Sequence, residues 1–177
     1  LPEILGRFST AYPHVALEIV SDLSRNLLSA EQSRRYDLTL SLHNRPSKRR
    51  KGVIKSDQLV WVGSSQHQTE RQAELPLVLA QEGCIYRQRA TQRLGKIQRP
   101  WRLVHTNPDL SGIQSAIEAG LGITVLAKST VPKSLKILAN NKQLPALGPI
   151  DICLTNGYGK GSDASERLGD YIKSSLA

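Results

Sequence analysis

A chain of 177 residues, 39% apolar and 22% charged, can bury one core or two small ones without disulfide or metal staples, and its composition excludes wholesale disorder. No apolar run approaches the roughly 18 residues of a membrane span, and Leu1-Pro2-Glu3 has neither the basic stretch nor the cleavage site of a secretory leader. The formal charge of +9 favours acidic partners, nucleic acid or anionic small molecules, without naming one.

In chain order, Leu1, Ile4, Leu5, Phe8 and Tyr12 recur at helical spacing and predict an amphipathic helix over residues 1–12, stopped by Pro13. A chain that opens inside a helix reads as a fragment. Val15, Leu17 and Ile19 alternate and predict a strand over 15–20. Ser24 is placed to cap a second helix carrying Leu27 and Leu28. Asp37–Leu42 alternates again, a strand with Leu38, Leu40 and Leu42 on one face. Arg45, Lys48, Arg49, Arg50 and Lys51 follow with no aromatic among them, which suits a solvated loop better than a nucleic-acid platform. Gly52–Gly63 reads as one or two strands, and polar Ser64–Glu74 as a link to a second lobe.

That lobe opens with Leu75–Leu79, a helix over Ile85–Leu94 and a strand over Trp101–Val104. Ser111 with Gln114 spells a capping box, Ile113, Ala116 and Ile117 make a buried stripe, and Gly120 ends the helix before the apolar strand Leu121–Leu126. Strand, capped helix, glycine turn and strand form a βαβ unit, which favours parallel pairing. Ile150, Ile152 and Leu154 give another strand, Asn156–Ser162 a glycine-rich loop, and Ala164, Leu168, Tyr171 and Ile172 the stripe of a last helix capped by Asp163 and Glu166. The fold class is α/β. Lobe I is expected over 1–63 with 156–177, lobe II over 64–155.

Catalytic signals are missing from this reading. His14, His43, His67 and His105 form no metal-ligand pair, no serine lies in a nucleophile elbow, and neither a P-loop nor a complete dinucleotide fingerprint occurs. Cys84 and Cys153 are too far apart in sequence for a metal-ligand spacing and read as two buried reduced thiols of a cytosolic protein, with a redox sensor as the alternative. No cofactor and no metal is expected. Binding remains: Thr106 to Ser111 lies between a strand and a helix N-terminus, where backbone N–H groups suit an anion. Ser111 could equally do no more than satisfy its own helix.

Several segments together resemble the C-terminal domain of LysR-type transcription regulators. LPEILGRFSTAYPHVALEIV is similar to that family's opening segment, Tyr36-Asp37-Leu38 to its D-L strand, AIEAGLGITVL to its A-V-x-x-G-x-G-I segment, and Gly83-Cys84-Ile85-Tyr86-Arg87 to a variant within it. The resemblance implies two Rossmann-like lobes joined by two crossover strands, as in type II periplasmic binding proteins, with a small effector in the cleft. It also implies a winged helix-turn-helix ahead of Leu1, a first strand and pocket loop there too, DNA contact only through that domain, no membrane partner, a cytoplasmic location, and a homodimer that grows in the full-length protein. Carried over by position, the pocket residues would be Leu42, His43, Asn44, Trp61, Val62, Thr106, Asn107, Pro108, Ser111 and Thr155. His43 in such a place is more often a packing residue than a ligand contact. The positive charge points to a carboxylate effector. A free-standing solute-binding protein of the same fold is the alternative reading; an enzyme on it, such as a deaminase-like protein, is a third that no residue set here supports.

Overall fold

The computed structural model describes residues 1–29, 35–44, 46–47, 50–139, 143–157 and 162–176. They divide into two α/β units, Leu1–Ser56 with Asp151–Ala177, and Asp57–Ile150. Strands β2 (Val53–Ser64) and β7 (Pro149–Asn156) each pass from one unit into the other and are the two crossover strands.

In the first unit, α1 (Pro2–Ala11) forms where its stripe predicts, with Pro2 in the first turn, where a missing N–H costs nothing. It packs against the last helix, α5 (Asp163–Leu176). Phe8 is fully buried, its ring 4.6 Å from Tyr12 and 5.6 Å edge-on from Tyr171. Ile4, Leu5, Leu154 and Ile172 fill the core beside them. β1 (Leu38–His43) pairs antiparallel with β7, Leu38 opposite Asn156 and His43 opposite Asp151.

Three local expectations are corrected here. Residues 15–20 join no strand ladder among the described residues, because alternation supplies a face but not a partner for the backbone N–H and C=O groups. Ser24 opens the short α2 (Ser24–Leu27) without capping it; its Oγ accepts the Leu42 N–H instead (2.9 Å). β1 does keep Leu38, Leu40 and Leu42 on one face, half-buried, and buries Thr39 and Ser41 on the other. The cap of α5 is Ser162, whose Oγ accepts the Ser165 N–H at 3.2 Å, and Asp163 and Glu166 sit in the first turn as favourable charges. The rest of the glycine-rich loop, residues 158–161, lies outside the described residues, as do Arg45, Lys48 and Arg49 of the basic run.

In the second unit, β3 (Leu75–Leu79) is buried along its whole length. It pairs in parallel with β4 (Trp101–Thr106), and Leu77 bridges Ile123 in parallel on the way into β5 (Thr124–Ala127). A strand flanked this way is expected to read as one apolar run, and LPLVL does. β2 continues here, antiparallel to β5 and to β6 (Leu135–Ile137), a three-residue strand too short to announce itself by periodicity. The helices are α3 (Ile85–Lys96) and α4 (Leu110–Glu118), the latter burying Ile113, Ala116 and Ile117. Its C-terminus is a Schellman turn: Leu121 N–H bonds Ala116 O, Gly120 N–H bonds Ile117 O, and Gly120 takes the positive φ of 76° the turn requires. At the other end the capping box does not form. Asp109 is the flanking residue and makes no side-chain cap, Ser111 lies inside the first turn, and Gln114 Nε2 turns to Glu118 Oε1 (2.9 Å) and Ser134 Oγ (3.0 Å).

Candidate effector-binding site

The second unit builds its candidate surface from strand ends. β3 and β4 run parallel, so Leu79 and Thr106 finish side by side, and each strand is followed by a helix. In open α/β sheets the carboxyl ends of the strands are where ligands bind. Asn107 shapes the β4–α4 turn: its N–H bonds Leu79 O, and its Oδ1 accepts the Asp109 N–H at 2.9 Å. Gly112 leaves room for that amide, since a Cβ there would lie 2.2 Å from Asn107 Nδ2. Beyond β3, Arg87 donates to Ala80 O at 3.2 Å, and its guanidinium lies 3.8 Å from exposed Glu82. Tyr86 packs against the core, and burial pushes its phenol well above the ordinary range. Asp57 accepts the N–H and hydroxyl of Ser129, tying β2 to the turn after β5.

In the first unit the end of β1 meets a buried carboxylate. Asp151 is 2% exposed and accepts three kinds of donor: Ser56 Oγ–H (2.7 Å), Ser47 N–H (2.9 Å) and the Arg50 guanidinium (3.1 Å). Burial pushes its pKa up, but Ser56, Ser47 and Arg50 together outweigh that and hold the carboxyl below its ordinary range. His43 lies opposite it in the ladder, Nε2 3.1 Å from Ser41 Oγ. Burial first, then the Arg50 charge, lowers the His43 pKa, and Asp151 only partly restores it, so the ring is neutral at pH 7. A neutral imidazole beside a guanidinium can accept or donate a hydrogen bond without adding charge.

The ten residues carried over from the resemblance distribute unevenly. Leu42, His43 and Asn44 are consecutive and half-buried at the end of β1. Thr155 pairs with Thr39, four rungs from His43 and thus about 13 Å along the strand. Trp61 and Val62 belong to packing: Val62 is fully buried in the core, and Trp61, 5% exposed, spends its Nε1–H on Pro145 O at 2.9 Å. Thr106, Asn107, Pro108 and Ser111 lie together on the β4–α4 turn, with Ser111 exposed and without a capping bond. Sequence reasoning missed Asp151 and singled out Arg50 only as part of a solvated run. The available signal was an acid between two strand isoleucines, Ile150 and Ile152, where a buried charge demands partners. No group of three or more His, Cys, Asp or Glu side chains among the described residues could hold a metal, and no described helix is long and apolar enough to cross a membrane.

Comparison with known proteins agrees with this architecture. The regulatory domain of CcmR from Synechocystis PCC6803, solved in complex with 2-PG, superposes with a TM-score of 0.72 at 19% identity, covering 99% of this chain and 90% of that one. The effector-binding domain of QuiR in complex with shikimate gives a TM-score of 0.64 at 12% identity, with 99% and 89% coverage. At these identities the likeness shows the fold, that of LysR effector-binding domains, related to type II periplasmic binding proteins. In sequence, the chain is 26% identical over 177 residues to the HTH-type transcriptional regulator DgdR of Burkholderia cepacia; the match takes in 99% of the chain but spans only 60% of that regulator's length. Residues 1–145 match the family model described as the LysR substrate binding domain, and the chain belongs to that family.

Proposed function

We propose that this chain is the effector-sensing part of a DNA-binding transcription regulator, and that its effector is a small carboxylate. The family match over residues 1–145 carries this reading. The chemistry of the surfaces supports the carboxylate. The β4–α4 turn offers the first-turn N–H groups of a helix with no side-chain cap, and the end of β1 offers neutral His43 beside Arg50. Shikimate, named with one structural neighbour, is itself a carboxylate. The contact residues proposed are Leu42, His43 and Asn44 in the first unit and Thr106, Asn107, Pro108 and Ser111 in the second. Trp61 and Val62 shape the strand behind them, and Thr155 is assigned the rim of the first unit. The protein works in the cytoplasm as a homodimer, contacts DNA only through a domain outside these residues, and leaves its effector chemically unchanged.

A thermal-melting screen of small carboxylates tests the reading. A true effector at 100 times its dissociation constant adds about 2.7 kcal/mol of stability, and the His43→Ala and Ser111→Ala variants lose part of that gain. A flat response to every acid, or conversion of the acid to product, overturns it. Light scattering at micromolar concentration should report a dimer; a strict monomer counts against the assembly.

A further inference from the structure

We propose that Arg89 and Arg93, converging over Gly148 in the second unit, form a binding site for a small phosphate-type oxyanion, separate from the candidate surface at the strand ends. α3 carries Arg87, Arg89, Arg93 and Lys96 and not one acid. One turn from Arg93 stand Arg89 and Ala90 before it and Lys96 and Ile97 after it, so its own helix offers no carboxylate to answer it. Arg93 is half-buried and takes no hydrogen bond or ion pair among the described residues. Arg89 is buried, and its guanidinium donates to Leu147 O and to Pro149 O (3.2 Å), neutral partners that bond the cation without cancelling its charge. Burial first, then the like charge of Arg93, lowers the Arg89 pKa. The helix C-terminus favours Arg93 and Lys96 in the last turn. It does nothing to offset a second guanidinium buried one turn earlier.

Gly148 keeps the space between the two arginines open. Its φ is +79°, and a Cβ built there would lie 3.4 Å from one Nη of Arg89 and 3.6 Å from one Nη of Arg93. The two nitrogens are therefore within about 7 Å of each other. An oxyanion bridges donors at that spacing through charge-assisted bonds of about 2.7–2.9 Å. The Gly148 C=O accepts the Leu59 N–H (3.1 Å), while the Gly148 N–H has no partner among the described residues and adds a third donor at the same residue. Planar guanidiniums match phosphate oxygens in pairs. A dianion answers both charges at once, which a single carboxylate cannot. The place is also distinct from the strand ends: Arg93 lies nine residues into α3, about 13 Å along the axis from Cys84.

NMR of the arginine Nε–H groups during titration with sodium phosphate, at constant pH and ionic strength, tests this. The Arg89 and Arg93 signals should shift together and saturate with a dissociation constant of about 1 mM or tighter. Arg93→Gln should weaken binding at least about tenfold while the β3 and α4 amides stay where they are. Arg93→Lys, which keeps the charge but loses the fork, should fall between the two. His43→Ala should leave the titration unchanged, which separates this site from the effector reading. Without phosphate, Arg93→Gln should melt above the parent protein, because the like charge beside buried Arg89 is gone. Methyl phosphate binding as well as phosphate supports a phosphorylated organic ligand, and its exclusion supports the free ion. The proposal is overturned if sodium chloride gives the same shifts, if saturation survives Arg93→Gln, or if acetate binds as tightly as phosphate. A parent protein that melts above Arg93→Gln without phosphate overturns it too.

Discussion

Asp151 is the residue with most at stake. Its carboxylate is buried, and Ser56, Ser47 and Arg50 all point donors at it. Asp151→Asn keeps the shape but removes the charge those donors answer and leaves the Arg50 guanidinium without its carboxylate. Breaking a buried pair costs about 3–5 kcal/mol, and with the Arg50 side chain 26% exposed the loss should be nearer 2–3 kcal/mol, read by chemical denaturation. The pH dependence has a definite sign. A carboxyl held below its ordinary value stabilises the fold at pH above about 4 and loses that contribution as pH falls through the native value. His43, depressed in the native state, takes up its proton first when unfolded, so stability also declines as pH falls below about 6.5. Denaturation midpoints between pH 7 and 3 should thus drop in two stages, with the lower stage missing in Asp151→Asn. A midpoint that rises on acidification would contradict both assignments.

At the scale of elements, the β4–α4 turn separates what the pattern says from what the backbone does. Ser111 and Gln114 have capping-box spacing, which would make Ser111→Ala cost about 1 kcal/mol. The flanking residue of the helix is Asp109, two residues too early for that, so the stability change should stay within about 0.5 kcal/mol. A larger loss in a melting experiment would restore the cap. Arg89 behaves oppositely: on α3, 7% exposed, it donates to Leu147 O and to Pro149 O at 3.2 Å. Arg89→Leu strands two carbonyls and should cost about 2–3 kcal/mol, more than Arg93→Leu one turn away. Helices with a full stripe were legible in the sequence: α1, α4 and α5 appear where Phe8, Ile117 and Ile172 place the buried face. So was β3, because a strand buried throughout cannot be anything but apolar. What escaped depends on partners distant in sequence. Ser24 looked like a cap until Leu42 took its oxygen, and no local pattern pairs the Trp61 N–H with Pro145 O. Residues 15–20 carried a strand pattern and join no ladder among the described residues. The site residues proposed from the sequence fall in two short runs, Leu42 to Asn44 at the end of β1 and Thr106 to Ser111 on the β4–α4 turn, because a strand end followed by a turn is a local pattern. Nothing local marks the buried network of Asp151, whose partners lie about a hundred residues away.

For the whole molecule, charge outlasts any single contact. A formal +9 over 177 residues creates a field that an approaching anion feels well before it touches Arg50 or a helix terminus. That field reaches about 30 Å at 0.01 M salt and only about 3 Å at 1 M. Contacts inside a site are screened far less. The two effects separate in kinetics: for a carboxylate effector, raising ionic strength from 0.01 to 0.5 M should slow association several-fold while dissociation changes little. Stopped-flow measurement with the acid selected by melting, beside its uncharged amide, checks this. The amide should bind more weakly and show no salt dependence in its association rate. If acid and amide respond alike, the charge serves some other partner and the carboxylate reading loses its electrostatic support. If dissociation of the acid accelerates instead, the contacts themselves are solvent-exposed, and the half-buried end of β1 at His43 is not where the anion sits.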